Sequence, residues 1–281
     1  MLPYHGKIGL YVFLLSVLGA TTIISTQVTE AGNVWLWLIA YYVFVNIIVF
    51  AVFSDYAYQI AVRAAFLAWA FAVGLYIVGA GGRSWAVFGL YVCFMAFFHW
   101  SEFVTIAATN PKTLSVDSFI LNHSAAYGIA AVASWLEFAA EWYFFPTVKY
   151  DYFLPVTVVG TVLCVGGELL RKTAMFTART SFTHVVQSVR EDDHRLVTTG
   201  VYALCRHPSY VGWFYWSLGT QLVLVNPVCT VGYLVASWRF FDERVLVEEA
   251  TLLTFFGEDY YDYQQKVPTG LPGIHGYKLS K

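Results

Sequence analysis

Residues 207–238, HPSYVGWFYWSLGTQLVLVNPVCTVGYLVASW, contain no Asp, Glu, Lys or Arg. A membrane-spanning helix needs about 20 apolar residues, so this stretch is too long for a single span. Asn226-Pro227 interrupts it near the middle, and a proline inside a helix removes a hydrogen bond and clashes with the preceding turn. The stretch therefore predicts two membrane helices, roughly 209–225 and 228–247, joined as a tight hairpin.

Six more uncharged runs lie upstream of this hairpin, at residues 8–29, 31–54, 64–82, 84–101, 118–136 and 152–167. The last run is the shortest, but Arg171 and Lys172 beyond it can extend their charged groups to the membrane surface. The first run is too long for a signal peptide and is not followed by a small-residue cleavage site. With the hairpin, these runs predict an all-α integral membrane protein with about eight transmembrane helices.

Charge is scarce in this chain of 281 residues and is concentrated towards its C-terminus. Charged residues make up 12% of the sequence, about half the share in a soluble globular protein. Six of them lie in residues 1–110, ten in 168–206 and twelve in 239–281. The pattern excludes an ordinary soluble domain. It predicts N-terminal transmembrane helices over 1–167 and a catalytic region over 168–281.

The placement of Lys and Arg predicts the orientation, because cytosolic loops are enriched in these residues. A cytosolic N-terminus places the positive charges of residues 168–206 and of the C-terminal tail in the cytosol. The reverse orientation would place nearly every positive charge outside. We therefore expect a cytosolic, cofactor-binding segment between the sixth and seventh helices and a helical tail on the same side.

The sequence also excludes several kinds of partner and site. A net charge of −2 is not typical of a nucleic-acid-binding protein. The four cysteines form no CxxC pair and no His/Cys cluster with zinc spacing, so no metal is expected. Gly166-Gly167 precedes Glu168 and lacks the dinucleotide-binding pattern, which favours close helix packing there. His99 and Glu102, at the end of one predicted helix, are expected to form a wetted pair at the membrane surface.

The first polar block, residues 187–213, leads from the cytosolic loop into the hairpin. Pro208 suits the first turn of a helix, where its missing N–H needs no partner. The free N–H groups and the positive dipole end of such a helix attract anions. The carboxylate of a cofactor would fit there.

The second polar block lies where the last predicted span leaves the membrane. Arg244 and Glu248 are four residues apart and share one helix face, whereas Glu249 lies about 100° further round. In isolation this is an ordinary surface salt bridge. Its position next to the first block favours a site, in which Glu248 either holds Arg244 in place or binds the cofactor's ammonium group.

Several motifs occur together here: RHPSYVGW at 206–213, the Asn226-Pro227 break, Arg244 with Glu248-Glu249, FFGEDY at 255–260 and KVPTGLP at 266–272. Together they resemble the isoprenylcysteine carboxyl methyltransferase family. The resemblance in motifs covers about residues 168–275. The apolar N-terminal part is similar to the multi-span animal-type members in layout only.

The resemblance implies that S-adenosyl-L-methionine is the cofactor and that the reaction is methyl esterification. The acceptor is the prenylated C-terminal cysteine of small GTPases and other CaaX proteins, at the endoplasmic reticulum membrane. Arg244 matches a substrate-binding position, and Arg244 and Glu248 are the expected catalytic pair. The expected cofactor-binding residues are Gln187, His194, Arg195, Leu196, Val197, Tyr202, His207, Pro208, Ser209, Tyr210 and Glu248.

Two other enzyme classes share the short Arg-His-Pro-x-Tyr core, namely membrane phospholipid methyltransferases and sterol reductases that bind NADPH. Arg190, Arg195 and Arg206 are a possible basic cluster for the 2′-phosphate of NADPH. A transporter is a third alternative, although the first five spans hold almost no ionisable residue in their interior. The run to Trp213, the paired glutamates and the Pro-Thr-Gly-Leu-Pro tail favour the prenylcysteine enzyme.

Overall fold

The computed structural model describes residues 1–29, 33–122, 124–145, 154–191 and 194–277, and within these ranges it contains helices and no strand. The nine α-helices of the described residues are α1 (Tyr4–Thr29), α2 (Val34–Val52), α3 (Asp55–Ala80), α4 (Gly82–Thr109), α5 (Ala125–Phe144), α6 (Leu154–Ala178), α7 (Pro208–Leu224), α8 (Pro227–Phe256) and α9 (Glu258–Lys266). Short 3₁₀ helices lie between some of them, including Gly200–Ala203 in the first polar block.

The all-helical prediction is confirmed. Each of the eight predicted spans overlaps one of the helices α1 to α8, and α8 begins at Pro227 as the Asn-Pro break predicts. Residues 31–32 and 152–153, where two predicted spans begin, lie outside the described residues, as do Asp192 and Asp193 of the polar segment.

Five helices in the described part of the chain are long and apolar enough to cross a membrane. They are Tyr4–Thr26, Val34–Val52, Asp55–Ala80, Ser84–Thr109 and Leu154–Ser181. The other three long helices, α5, α7 and α8, do not meet that criterion. The count of eight spans therefore remains a prediction.

The chain divides into two compact units. One comprises Met1–Thr157 with Val223–Val225, and the other comprises Val158–Leu222 with Asn226–Lys281. This division falls within α6. The functional division between residues 167 and 168 remains a prediction.

The first unit buries a polar group that the sequence suggested would be wet. His99 is only 4% exposed and Glu102 is fully buried. The imidazole Nδ1 lies 2.9 Å from the carbonyl oxygen of Phe119, and Nε2 lies 3.1 Å from the hydroxyl of Tyr127. The expectation of a wetted pair was wrong, because these partners come from chain segments 20 or more residues away.

In the second unit, α6 and α7 approach each other through glycines. A Cβ atom at Gly167 would lie 2.5 Å from the carbonyl oxygen of Gly212, and one at Gly212 would lie 2.6 Å from that of Gly167. Such distances exclude any side chain at either position without a shift of the helices. A Cβ at Gly166 would meet nothing within 4 Å. The predicted close packing is therefore confirmed, and it is Gly167 that makes it.

Candidate active site

An open cavity lies in the polar part of the second unit. Its wall comes from the segment that follows α6, the 3₁₀ helix Gly200–Ala203, the first turn of α7, the second half of α8, and α9. All eleven residues that the sequence assigned to the cofactor line this cavity. The family pattern, which is spread over more than 60 residues, is thus brought together around one space.

The cavity has an apolar wall that the sequence analysis did not assign. Its members are Phe182, Val185, Val186, Leu252, Phe255 and Phe256. Apolar residues are expected throughout a membrane protein, so nothing in their type distinguishes a pocket wall from a lipid-facing or core position. A flat aromatic ligand group would pack well against such a surface.

The segment after α6 is held against the end of α8. Arg190 donates a 2.7 Å hydrogen bond from Nη1 to the carbonyl oxygen of Phe255, and its guanidinium lies 4.7 Å from the ring centroid of Phe256. The ring of His194 meets both phenylalanines edge-on, at 5.7 and 5.5 Å between centroids. The backbone N–H of Arg195 donates to the Ser181 hydroxyl at 3.1 Å. These contacts fix one side of the cavity.

Arg171 of α6 binds the first turn of α7. It is buried, and its Nη1 donates to the Ser209 hydroxyl oxygen at 2.7 Å. Its guanidinium also lies 5.0 Å from the ring centroid of Trp213, a cation–π arrangement. Trp213 therefore packs against a buried cation next to the cavity, and it is not among the residues that line the cavity.

Glu249 is fully buried at the centre of a hydrogen-bond network, a role that could not be assigned from the sequence. Its Oε1 accepts hydrogen bonds from Arg206 Nε at 2.7 Å and from His207 Nε2 at 3.0 Å. Its Oε2 accepts from the amide of Gln264 at 2.9 Å and from the backbone N–H of Tyr277 at 2.8 Å. Because a carboxylate only accepts, the Nε2 of His207 carries its proton here.

This environment keeps Glu249 ionised. Burial by itself raises the pKa of a carboxyl group, but the hydrogen bonds and charges of His207 and Arg206 outweigh it and hold the pKa of Glu249 at about 2. Both partners of the Arg206–Glu249 pair are almost completely buried. A buried pair of this kind depends on having all of its hydrogen bonds satisfied.

Arg206 extends this network to the C-terminal tail. Its guanidinium also donates to the carbonyl oxygens of Gln264, Val267 and His275. The backbone N–H groups of Arg206 and His207 donate to the carbonyl oxygens of Pro268 and Thr269, at 2.8 and 3.2 Å. The Pro-Thr-Gly-Leu-Pro tail thus pairs with the loop that leads into α7. The sequence contained one indication of this role. Arg206 stands in a family motif next to the hairpin, and an arginine that is buried there requires an acidic acceptor such as Glu249.

The predicted catalytic pair does not form a direct salt bridge. Arg244 Nε donates to the hydroxyl of Tyr210 at 2.9 Å, and that hydroxyl donates to Glu248 Oε2. Arg244 Nη2 donates to the carbonyl oxygen of His184 at 2.6 Å, whereas Nη1 has no hydrogen bond to any residue of the described ranges. Tyr210 therefore links Arg244 to Glu248, which lines the cavity, and Arg244 keeps one donor group free.

Long apolar helices combined with a polar, ionised pocket are the features of a multi-pass membrane enzyme. Comparison with known proteins shows to which family of membrane enzymes the chain is similar. The family model for the isoprenylcysteine carboxyl methyltransferase (ICMT) family matches residues 158–254. The chain is 48% identical over 276 residues to the protein-S-isoprenylcysteine O-methyltransferase of Homo sapiens, covering 98% of this chain and 95% of that protein.

A second relative and a solved structure agree. The chain is 52% identical over 244 residues to the protein-S-isoprenylcysteine O-methyltransferase of Tribolium castaneum, covering 86% of each. It is also similar to a structure described as the eukaryotic intramembrane Ras methyltransferase ICMT, with a TM-score of 0.91 and 46% identity over 99% of this chain and all of that one. The chain belongs to the isoprenylcysteine carboxyl methyltransferase family.

Proposed function

We propose that this protein transfers a methyl group from S-adenosyl-L-methionine to the C-terminal carboxylate of prenylated cysteine in processed CaaX proteins. The observation that carries the proposal is the single cavity that gathers all eleven family positions, with Arg244 joined to its wall through Tyr210. The names of the curated relatives support the acceptor. The solved Ras methyltransferase supports a small GTPase as one substrate.

The residues of the cavity fit this donor. An adenine ring suits the apolar wall of Phe182, Val185 and Val186. The ammonium group of the donor suits Glu248, whose carboxylate faces the same space. When bound, the donor supplies an electrophilic methyl group on a sulfonium. The chain's own residues then have to bind, orient and shield the reacting groups.

The acceptor needs no general base. An α-carboxyl group has a pKa of about 3.3–3.7, so it is ionised at neutral pH. What remains for the protein is alignment, which can contribute about 7–11 kcal/mol in favourable cases. A cation and an anion react to give two neutral groups, so a dry site raises the free energy of the reactants more than that of the transition state.

Arg244 is suited to hold the carboxylate by one oxygen. Its Nε and one N–H of Nη2 already donate to Tyr210 and His184, which leaves Nη1 as the nitrogen without a hydrogen bond in the described ranges and as the proposed donor to the carboxylate. Binding by one oxygen orients the carboxylate and leaves the other oxygen free to attack the methyl group. The bridge from Tyr210 to Glu248 couples acceptor binding to the wall of the donor cavity.

In this proposal, the transmembrane helices give the prenyl chain access to the site from the bilayer. Each buried CH₂ contributes about 0.8 kcal/mol, so the prenyl group partitions into the bilayer and reaches the site laterally between helices. The donor is water-soluble and arrives from the cytosol, which the polar segment that leads into α7 and the polar end of α8 face in this proposal. The endoplasmic reticulum is the proposed membrane. Membership of the family is consistent with this membrane, and the positive-inside pattern supports the cytosolic orientation.

The NADPH alternative is not favoured, because two of the three arginines on which it depended are committed elsewhere. Arg206 is committed to Glu249 and to the tail, and Arg190 to Phe255 and Phe256. An arginine held in this way is a poor ligand for a 2′-phosphate.

The two functions are separated by one assay on purified protein in detergent. We expect transfer of a labelled methyl group from S-adenosylmethionine to a farnesylated cysteine analogue, with the label released by base as expected of an ester. No transfer, together with NADPH oxidation in the presence of a sterol, would overturn the proposal.

A further inference from the structure

Tyr260 of α9 is the last residue of the FFGEDY motif, whose two phenylalanines belong to the apolar wall of the cavity. Its side chain is only 1% exposed and lines the cavity. Its hydroxyl makes no hydrogen bond to any residue in the described part of the chain. Buried hydroxyl groups are nearly always hydrogen-bonded in native proteins, so one without a partner at a cavity wall points to a ligand.

The carboxylate of Glu249 lies near the Tyr260 hydroxyl and interacts with it, but the contact does not reach the geometry of a hydrogen bond. A carboxylate offers about four lone-pair sites. All four are filled, by Arg206 Nε, His207 Nε2, Gln264 Nε2 and the N–H of Tyr277. The hydroxyl of Tyr260 therefore remains available to another group.

Tyr263, on the same helix, shows that a buried tyrosine of the cavity wall can have a hydrogen-bonded hydroxyl. Both tyrosines lie on α9, both are buried and both line the cavity. The hydroxyl of Tyr263, however, donates a 2.5 Å hydrogen bond to the carbonyl oxygen of Tyr202. The Tyr263 hydroxyl thus stabilises the fold, whereas the Tyr260 hydroxyl makes no hydrogen bond within the described residues.

We propose that the Tyr260 hydroxyl donates a hydrogen bond to the amino-acid end of the methyl donor. The inference rests on the donor proposed above. The charged groups that act on Tyr260 are Glu249, Arg206 and Glu248. The amino-acid end is the zwitterionic part of the donor, and it suits a place where both signs of charge occur.

The protonation state agrees with a donor role. Burial raises the pKa of Tyr260, and the negative charge of Glu249 raises it further. The phenol therefore stays protonated at neutral pH and can donate to a carboxylate oxygen. A charge-assisted hydrogen bond of this kind is stronger than a neutral one.

The test compares Tyr260→Phe with Tyr263→Phe as a matched control, using two probes. S-Adenosylhomocysteine keeps the amino-acid end, whereas 5′-methylthioadenosine lacks it and keeps the nucleoside. Their Kd values are measured by competition with labelled S-adenosylmethionine on purified full-length protein, and thermal unfolding is measured without ligand.

For Tyr260→Phe we expect the Kd of S-adenosylhomocysteine to rise about ten- to one-hundredfold, as for loss of a hydrogen bond to a charged group. The Kd of 5′-methylthioadenosine should change less than twofold. The unliganded Tm should stay the same or rise, because no internal hydrogen bond is lost. Tyr263→Phe should lower the unliganded Tm.

Three results would overturn the assignment. They are an unchanged Kd for S-adenosylhomocysteine in Tyr260→Phe, an equal loss for both probes, and a drop in its unliganded Tm like that of Tyr263→Phe. If wild-type protein binds no adenosyl probe at all, the proposed donor is wrong and this inference falls with it. Wild-type binding with no effect of Tyr260→Phe would refute the inference alone.

Discussion

Tyr210 is the residue that connects the two halves of the proposed reaction. Its hydroxyl accepts a hydrogen bond from Arg244 and donates one to Glu248. The helix spacing predicted that Arg244 and Glu248 lie on one face, but it could not predict that a tyrosine from α7 would stand between them. From the sequence, Glu248 either holds Arg244 in place or binds the ammonium group of the cofactor. Because Tyr210 stands between Glu248 and Arg244, mutations can separate these two roles.

Arg244→Ala should impair the chemical step and spare donor binding. Arg244 is placed to hold the acceptor carboxylate, and loss of such a charged contact costs about 2–5 kcal/mol. We expect kcat/KM for the prenyl substrate to fall at least about thirtyfold. Equilibrium binding of labelled S-adenosylmethionine should stay within about twofold of wild type. Loss of donor binding in this variant would refute the assignment.

Glu248→Gln should have the complementary effect. Removing the charge weakens the interaction with the donor's ammonium, so the KM for S-adenosylmethionine should rise about tenfold while the KM for the prenyl substrate changes little. Steady-state kinetics with each substrate varied in turn provide the measurement. Glu243→Gln, an exposed glutamate of the same helix, is the control for loss of charge. The opposite pattern of KM values would show that Glu248 serves only to position Arg244.

At the scale of elements, α6 and α7 are held together by the contact of Gly167 with Gly212. Gly167→Ala places a methyl group against the backbone of α7, so we expect a clear loss of thermal stability, corresponding to about 1–3 kcal/mol for overpacking. Gly166→Ala is the matched control, because its Cβ would meet nothing within 4 Å. Thermal unfolding in the same detergent distinguishes them. Equal Tm values for the two variants would contradict the proposed packing.

Helices and their breaks could be predicted from the sequence, because both follow from local composition. Apolar runs require helices in a membrane, and Asn226-Pro227 ends one helix and begins the next. The burial of His99 and Glu102 could not be predicted, since their surroundings come from distant parts of the chain. The apolar wall of the cavity could not be predicted either, because its residues are of the same types as those that face lipid or the protein core.

At the scale of the whole second unit, Glu249 of α8 joins the loop before α7, α9 and the tail. The sequence supplied the residues of this network as separate motifs, and the physical link between them is visible only once Arg206 and Glu249 are brought together. Gly276 shows how tightly the tail is fitted, because a Cβ there would collide with the Glu249 carboxylate. The tail motif is therefore structural as well as characteristic of the family.

The pH dependence of stability follows from the low pKa of Glu249. The group has a pKa of 4.5 in its ordinary state and about 2 in the fold. A lowered folded-state pKa stabilises the protein above the ordinary value, and this stabilisation is lost as pH falls towards 2. The stabilisation from this group is therefore complete and independent of pH between pH 5 and 8, and the Tm of wild-type protein should decrease below about pH 4.

Glu249→Gln tests that origin. The variant leaves Arg206 without its charged partner, so its Tm at pH 7 should be well below that of wild type, corresponding to about 3–5 kcal/mol for breaking a buried pair. The gap between the two proteins should narrow as the pH is lowered from 4 towards 2. A constant gap across this range would show that Glu249 is not the titrating group.

The most direct test of the whole account is methyl transfer to a matched pair of acceptors. Purified protein receives S-adenosylmethionine with a labelled methyl group and either N-acetyl-S-farnesylcysteine or its carboxamide, which differs only in lacking the ionised carboxylate. We expect base-labile label in the acid and none in the amide. Label in both acceptors, label that resists base, or no transfer to the acid would contradict it.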